Sequence, residues 1–423
     1  MMAIGNLAIF LNFALASIAA PKGFLGQNPL SDPANAPLPQ YRSVKPWDGI
    51  HAFDTETREL LALHRLLVEA QSITDNELAV GTALAAYLRS SQHGVSYTVE
   101  TQRVEKGRHN IFAYPGKNRD AKTLVTSHID TVPPFIPYSF QLNRTHPSSS
   151  LISGRGTVDA KGSVAAQIFA VSNILRHATT SSTNPPSLAL LFVVGEEVGG
   201  EGMRLANDLS LKPSTVIFGE PTDNILASGH KGVLGFTVHV TGHAAHSGYP
   251  WLGVSANEVL TSLLFDIKKL ENVLPSSEKF GETTINIGKI EGGVAANVIA
   301  ESASAKFLVR IASGEPAAIK SAILEVTNAV AQSYPGAEVE VEFTKGYGPV
   351  NIDADVEGFE NQTVNYGTDI PNLEKAVEGQ KRYLYGPGSI LVAHGKDERL
   401  TVGELVGAVR DYEKLILATQ VGS

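Results

Sequence analysis

The sequence predicts an α/β protein in which helices cover a mostly parallel sheet and a smaller α+β domain is inserted. Short apolar runs such as "KTLVTSHID", "SLALLFVVG" and "STVIFGEPT" alternate with helical segments between about residues 55 and 230. That alternation is typical of buried parallel strands connected by helices. From about residue 235 the element order becomes β-α-β-β-α-β, the split ferredoxin-like arrangement. The chain has 423 residues, which is enough for both domains.

The N-terminal stretch has the composition of a targeting segment. Residues 1–20, "MMAIGNLAIFLNFALASIAA", end in small residues and predict a secretory signal peptide cleaved near Ala19 or Ala20, although no positive charge precedes the apolar run. A buried N-terminal helix is the alternative. Residues 21–50 are rich in Pro, Asn and Ser, as in a flexible leader. We therefore expect a secreted, extracellular protein.

Two acceptor sequons become relevant if the chain is secreted. They are "NRT" at Asn143 and "NQT" at Asn361. Alternatively, either sequon could occur by chance. The sequence thus predicts two candidate glycosylation sites.

The remaining chain divides into three segments. Residues 51–234 contain the helical segments "TRELLALHRLLVEA" and "ELAVGTALAAYL" together with the apolar strands, and should form the first part of the α/β domain. In residues 235–345 the alternating strands "GFTVHVTG" and "EVEVEF" enclose two amphipathic helices and two further strands, which predicts the inserted domain. Residues 346–423 end in the amphipathic helix "TVGELVGAVRDYEKLILAT" and should return to the first domain.

Charge and composition exclude several function classes. The formal net charge is −9 and no run of Lys or Arg occurs, which argues against a nucleic-acid partner or an anionic membrane surface. After the N-terminal stretch no apolar run reaches the length of a membrane span. The chain has no cysteine, so any metal must be bound through nitrogen and oxygen. A small or peptide-sized substrate is the better expectation.

Five short stretches place polar side chains just after apolar runs, where ligands bind in open α/β sheets. The candidates are His128 and Asp130 in "SHIDTVP", Asp159 in "GRGTVDAKG", Glu196 and Glu197 in "GEEVGG", Glu220 in "GEPT", and His394 in "VAHGKDE". Two imidazoles and three carboxylates, one of them shared, can hold two divalent ions. Such ligands fit two Zn²⁺, with Co²⁺ or Mn²⁺ as substitutes. A further carboxylate would then move the proton of the attacking water.

Each of these residues also has an ordinary alternative. Asp159 could fasten a Gly-rich turn, Glu220 could be a loop acid, and His394 could be a core histidine. Their joint occurrence at successive strand ends favours the metal interpretation, because unpaired buried charges are costly.

From residue 55 to 420 these stretches, in this order, resemble the M20 metallopeptidases. That two-zinc family includes glutamate carboxypeptidase, carboxypeptidase S, succinyl-diaminopimelate desuccinylase, acetylornithine deacetylase and aminoacylase. The resemblance implies His128 and Glu220 on one ion, Glu197 and His394 on the other, and Asp159 bridging both. It also implies that Glu196 is the general base and that Asp130 orients His128. The family often has a cis peptide after the bridging aspartate.

The resemblance extends to the inserted domain, which it identifies as a lid and dimerisation domain. In "GHAAHSGYP" it implies that His246 stabilises the oxyanion, often from the partner subunit of a homodimer. Asn297 in "GGVAANVI" would contact substrate, and Arg310 in "FLVRIA" would bind the substrate carboxylate with two parallel hydrogen bonds. A surface ion pair is the alternative for Arg310.

The turn "YGPGS" resembles the family's Gly-Ser turn before the last histidine ligand. Gly388 and Ser389 could contact substrate there, with a plain turn as the alternative.

The sequence therefore predicts a secreted two-zinc exopeptidase of the carboxypeptidase type. It would hydrolyse a peptide amide next to a free carboxylate, with Glu196 as general base. An N-acyl-amino-acid deacylase is the alternative within the same chemistry. A catalytically silent binding protein on the same scaffold is the alternative outside it.

Overall fold

The computed structural model describes residues 49–90, 94–181 and 186–420. The expected signal peptide and almost all of the expected leader therefore lie outside the described residues. Within the described ranges there are seven α-helices: α1 Thr55–Glu69, α2 Leu78–Arg89, α3 Lys161–Ser181, α4 Glu201–Ala206, α5 Ala256–Lys269, α6 Pro316–Ser333 and α7 Val402–Gln420.

The same ranges contain sixteen strands. They are β1 Tyr97–Glu105, β2 Arg108–Pro115, β3 Thr123–His128, β4 Ser139–Gln141, β5 Leu151–Ser153, β6 Leu188–Val193, β7 Thr215–Gly219, β8 Leu226–His230, β9 Gly232–Thr241, β10 Thr284–Gly292, β11 Ser302–Ile311, β12 Glu338–Phe343, β13 Val350–Asn351, β14 Asn361–Val364, β15 Lys381–Tyr385 and β16 Arg399–Thr401.

The main sheet has six strands in the order β1-β2-β6-β3-β7-β15. Strands β6, β3, β7 and β15 are parallel neighbours, whereas β1 and β2 add antiparallel pairings at one edge. Because successive side chains of a strand point to opposite faces, Val125 packs in one core and Leu124 in another. Helices α1, α2, α3 and α7 supply the first core, and α4 with the segment after β14 supplies the second. Both faces of the sheet are thus covered.

The inserted domain is an antiparallel sheet of four strands in the order β10-β11-β9-β12, with α5 and α6 packed in its core. Along β9, Leu234, Phe236, Val238 and Val240 alternate inward, and Phe236 stacks on Phe307 at 4.4 Å between ring centroids. Ser255 caps α5 by accepting a hydrogen bond from the Glu258 amide at 3.4 Å.

The chain then returns to the main sheet. Strand β15 pairs with β7, and α7 packs in the same core as α3. Strand β9 begins at Gly232, before the boundary expected at residue 235, and β12 ends at Phe343, before the boundary expected at residue 345.

This architecture confirms the predicted fold class, an α/β domain that carries an inserted ferredoxin-like domain. Two smaller sheets, β13-β8-β14 and β16-β5-β4, complete the α/β part. Among the described residues, no helix has both the length and the apolar character needed to cross a membrane.

Candidate metal centre

Three neighbouring parallel strands bring the first candidate ligands together. Strand β3 ends at His128, which pairs with Val193 at the end of β6, and β7 ends one register position earlier at Gly219. The carboxyl ends of these strands therefore meet at one edge of the sheet. Glu220 follows β7 directly, and the "GEEVGG" turn follows β6.

Two further candidate ligands come from loops. Asp159 is buried just before α3, and its peptide bond to Ala160 is cis, as the resemblance implied. His394 follows the 3₁₀ turn Ile390–Val392 and has a left-handed φ of 62°. The side chain of His394 is 53% exposed, so the alternative of a core histidine is wrong.

The five side chains form two groups of potential ligand atoms that share Asp159, and in each group these atoms lie within 4.8 Å of one another. We call His128, Asp159 and Glu220 the first ligand cluster, and Asp159, Glu197 and His394 the second ligand cluster. In the first, His128 Nε2 lies 3.1 Å from Asp159 Oδ1 and 3.7 Å from Glu220 Oε2.

In the second ligand cluster, His394 Nε2 lies 3.2 Å from Asp159 Oδ2 and 3.1 Å from Glu197 Oε2. The two carboxylate oxygens of Asp159 thus face different clusters. This grouping is the one that the family resemblance implied, and the ligand roles themselves stay predictions.

The electrostatics of the clusters suit a divalent cation. Burial raises the pKa of Glu220 to about 7, and the Asp159 and Glu197 carboxylates act in the same direction against His128. Burial and then Asp159 raise the pKa of Glu197, whose Oε1 atom is buried without a hydrogen-bond partner. Buried carboxylates that crowd one another and leave an oxygen unpaired are costly unless a cation neutralises them. The residues therefore fit a metal centre with oxygen and nitrogen ligands.

Glu196 lies beside the ligands without belonging to either cluster. Burial, followed by the Glu220 carboxylate, raises the pKa of Glu196 well above its usual value. A carboxylate in this position can exchange a proton with a neighbouring water molecule.

Asp130 fixes both His128 and the "GEEVGG" turn. Its Oδ1 atom lies 3.4 Å from His128 Nδ1 and accepts the Glu196 amide at 3.1 Å. Its Oδ2 atom accepts the Glu197 amide at 3.2 Å and the Thr74 hydroxyl at 2.8 Å. Asp130 is therefore placed to orient His128, as expected, and it also holds the backbone from which Glu196 and Glu197 project.

A second polar group borders the site. Arg310 is half-buried near the end of β11, and a Cβ atom on Gly367 would lie 3.4 Å from Arg310 Nη1 and overlap the Tyr347 hydroxyl. The guanidinium and the hydroxyl therefore converge on the space that Gly367 leaves open. Burial lowers the pKa of Arg310, whereas Tyr347 and Glu196 act in the opposite direction. A cation and a hydroxyl that face the same open space can bind a carboxylate.

The structure does not bring His246 and Asn297 to the ligand clusters within one chain. His246 is exposed, accepts the Gly248 amide on Nδ1 at 3.0 Å, and meets the Tyr249 ring edge-on at 5.9 Å between centroids. Asn297 is exposed, and its carbonyl accepts the Ser247 amide at 3.1 Å. Their contact with substrate stays a prediction that requires a second copy of the chain.

The Gly388–Ser389 turn has local uses. Gly388 has a left-handed φ of 76°, and its carbonyl accepts the Asp223 amide at 2.8 Å. The Ser389 hydroxyl accepts the Leu391 amide at 3.4 Å. These bonds agree with the alternative of a plain turn, and no contact tests the predicted substrate role.

The two sequons lie in different settings. Asn143 is half-buried and accepts the amides of Thr145 and His146 on its Oδ1 atom, at 3.1 and 2.9 Å. Asn361 is exposed at the start of β14. Glycosylation at either residue stays a prediction.

Sequence reasoning missed several polar residues around the clusters. Arg155 and Glu398 form a buried ion pair with a 2.6 Å contact, and both stand inside the motifs "GRGTVDAKG" and "VAHGKDE" that had already been singled out. Asp369 is buried with an unpaired Oδ2 atom, and burial raises its pKa to about 6. Arg155 and Glu398 could have been recognised as charged residues within the motifs of candidate ligands. Tyr347 and Asp369 lie outside those motifs, so nothing in the sequence indicated them.

Histidine and carboxylate side chains that converge at one edge of a parallel sheet, beside the half-buried Glu196, are typical of a metal-dependent hydrolase. The model of the M20 peptidase dimerisation domain matches residues 228–335, which contain most of the inserted domain. A probable carboxypeptidase of Aspergillus flavus is 49% identical over 382 residues, covering 85% of this chain and 87% of that protein. The chain belongs to the M20 family of metallopeptidases, and the predicted enzyme class is confirmed.

Solved structures share the fold. A tripeptidase from Staphylococcus aureus aligns with a TM-score of 0.68 at 22% identity, over 86% of this chain and 99% of its own. An M20 family metallo-carboxypeptidase from Sulfolobus solfataricus aligns at 0.63 with 17% identity, over 87% and 100% of the two chains. A dinuclear metal-binding M20 peptidase from Bacillus subtilis aligns at 0.56 with 16% identity, over 86% and 98%.

Proposed function

We propose that this metallopeptidase is a two-zinc carboxypeptidase that removes the last residue of a small peptide. The observation that carries the proposal is the sharing of Asp159 by two ligand clusters, one on each carboxylate oxygen. The Aspergillus flavus relative is named a probable carboxypeptidase, and the Bacillus subtilis structure is described as dinuclear. The first name supports a substrate with a free C-terminus, and the second description supports a paired metal site.

The ligand chemistry favours zinc. His128 and Glu220 would hold one ion, Glu197 and His394 the other, and Asp159 would bridge them. These donors contain no sulfur, so Co²⁺ or Mn²⁺ could substitute. When bound, a pair of such ions polarises a carbonyl and lowers the pKa of water toward neutrality.

The side chains of the protein perform the proton transfer and the substrate binding. Glu196 accepts the proton of the attacking water and returns it to the leaving nitrogen. The bonds from the Glu196 and Glu197 amides to Asp130 keep the two adjacent glutamates in separate positions. Arg310, with the Tyr347 hydroxyl, binds the free carboxylate of the substrate. Because this carboxylate has a fixed place, the peptide bond next to it is the one presented for hydrolysis.

A Glu196→Gln variant tests the role of the general base. We expect it to lose nearly all turnover while its zinc content equals that of the wild type, because no ligand is removed. Normal turnover in this variant would contradict the proposal. Glu258→Gln is a matched control on the exposed surface of α5.

A deacylase acting on N-acyl amino acids would use the same ligands and the same carboxylate contact. The two substrate classes differ only in the acyl group, so kinetics must separate them. Higher kcat/KM for N-blocked dipeptides than for N-acetyl amino acids supports the carboxypeptidase, and the reverse order supports the deacylase.

A homodimer formed through the inserted domain would explain the exposure of His246. If His246 completes the site of the partner subunit, His246→Ala and Glu196→Gln are each inactive, but a mixed dimer contains one intact site. Mixing the two variants under conditions of subunit exchange should then restore about a quarter of wild-type activity. Failure of exchanged subunits to regain activity would exclude a site shared between subunits.

Secretion is part of the proposal and rests on the N-terminal sequence. Expression of the full chain in a eukaryotic host should yield enzyme in the medium, and deletion of residues 1–20 should abolish export. Asn143→Gln and Asn361→Gln should each remove one glycan. The mass decrease on glycosidase treatment should therefore be smaller in each variant than in the wild type.

A further inference from the structure

Arg155 and Glu398 form a buried ion pair between the loops that carry Asp159 and His394. Arg155 Nη1 lies 2.6 Å from Glu398 Oε2, and the two side chains are only 2% and 1% exposed. An ion pair so deeply buried gains little stability over apolar residues of similar size. A role in holding neighbouring parts of the chain in place therefore explains this ion pair better than stability does.

Glu398 binds the loop that leads to Asp159. Its Oε1 atom accepts the amides of Gly156, Val158 and Asp159 at 2.9, 3.1 and 3.3 Å. The backbone of the shared ligand is thus attached to a residue four positions after His394 in the chain. Three amides on one carboxylate oxygen leave this loop little freedom to shift.

Arg155 binds the loop that carries His394. Its guanidinium donates to the carbonyl of Gly395 at 3.1 Å and to the carbonyl of His394 at 3.2 Å. His394 has a left-handed backbone, which is unfavourable for a residue with a Cβ atom. A hydrogen bond to its own carbonyl holds it in that conformation, from which its imidazole reaches Asp159 and Glu197.

We propose that Arg155 and Glu398 are positioning residues that set the geometry of the second ligand cluster. The inference rests on the proposed two-zinc function. Neither side chain belongs to either cluster. Each acts through the backbone: Glu398 through the Asp159 loop and Arg155 through His394. Only the second ligand cluster contains both Asp159 and His394, so its zinc affinity depends on the pair most strongly.

The test is zinc binding to Arg155→Lys. Lysine can keep the ion pair with Glu398, but it lacks the fork that reaches both loop carbonyls. We expect the second ligand cluster to bind Zn²⁺ roughly 10- to 100-fold more weakly, as for other residues that support metal ligands. The first ligand cluster should keep its affinity. The readout is a Zn²⁺ titration against a chromophoric chelator, in which Glu220→Gln and Glu197→Gln assign the two binding steps to their clusters.

Two more variants keep the test decisive. Arg382→Lys is the matched control, because Arg382 is also buried and donates to the carbonyl of Ile370 at 2.8 Å without touching either ligand loop. It should lower the unfolding temperature and leave both zinc affinities unchanged. Glu398→Gln should weaken the second ligand cluster as Arg155→Lys does, and it should change the visible absorption of bound Co²⁺.

The outcomes separate this inference from the proposed function. Wild-type affinity at both clusters in Arg155→Lys and Glu398→Gln would overturn the positioning role alone. Equal weakening at both clusters, matched by Arg382→Lys, would also overturn it, since general destabilisation would then explain the loss. A wild-type protein that binds a single zinc ion would overturn the two-zinc proposal itself.

Discussion

Replacing Gly367 by alanine should selectively damage recognition of the substrate carboxylate. The new Cβ atom would lie 2.8 Å from Val233 Cγ2 and would overlap the Tyr347 hydroxyl. Both contacts are too short, so the Val233 side chain and the Tyr347 hydroxyl both have to shift, while the pairing of Val233 with Arg310 keeps the backbone of β9 in place. Gly367 does not have a left-handed backbone, and the added methyl group is therefore the only change.

The expected loss is that of one hydrogen bond to a charged group. Such a bond contributes about 1.5–3 kcal/mol, which corresponds to roughly a 10- to 150-fold decrease in kcat/KM. The assay compares an N-blocked dipeptide with its C-terminal amide, which lacks the negative charge. Gly367→Ala and Tyr347→Phe should reduce kcat/KM for the acid and leave the amide, already a poor substrate, nearly unchanged.

The control is Gly81→Ala in α2, where a Cβ atom would meet only the His109 carbonyl at 3.8 Å. It should leave kcat/KM unchanged for both substrates. Equal losses on acid and amide in Gly367→Ala, or no loss in either Gly367→Ala or Tyr347→Phe, would refute the assignment of this space to the carboxylate.

Three further predictions concern the metal centre and the core. Asp130→Asn should lower zinc affinity or turnover roughly 10- to 100-fold, because an amide cannot accept both turn amides; wild-type values in metal titration and kinetics would contradict this. Removing metal with a chelator should abolish activity and lower the unfolding temperature. Added Zn²⁺ at 100 times its dissociation constant should then raise the free energy of unfolding by about 2.7 kcal/mol. An unchanged unfolding temperature would argue against a cation in the clusters. Burial lowers the pKa of His64 to about 4. As the pH falls, this histidine is therefore protonated in the unfolded chain before it is protonated in the folded protein. The free energy of unfolding should decrease between pH 6.5 and 4, by about 2 kcal/mol at pH 5. His64→Gln, which can still donate to the Thr157 carbonyl, should lose less stability between pH 7 and 5 in urea unfolding, and an unchanged pH slope would exclude the histidine as the source.

The grouping of the candidate ligands could largely be predicted because several of them lie at or just after the ends of strands. His128 ends β3, Glu220 follows β7 directly, and Glu197 lies in the turn after β6. Parallel strands place their carboxyl ends at one edge of the sheet. Residues at the ends of apolar runs in the sequence are therefore expected to lie close together in the fold. The inserted domain was predictable for a similar reason, since the alternation along β9 and β12 and the helical period of α5 are local signals.

The remaining parts depend on long-range pairings. Arg155 and Glu398 are 243 positions apart, and nothing near either residue specifies the other. Tyr347 reaches Arg310 because its backbone bridges to Val233 beside β9, a register that hydrophobic period does not encode. His246 was predicted from its motif alone, and because it is exposed in one chain, its predicted contact with substrate requires a second copy of the protein.

The connection between Arg155 and Glu398 also has a consequence for the biosynthesis of the enzyme. During translation the N-terminal strands and the inserted domain emerge before Glu398, so they can fold while the second ligand cluster still lacks His394. Closing a contact across 243 residues is a late event in folding. Under the proposed function, a nascent chain that has not yet reached His394 therefore lacks a member of the second ligand cluster. Hydrolysis should therefore begin only after translation has passed His394 and the contact between Arg155 and Glu398 has formed.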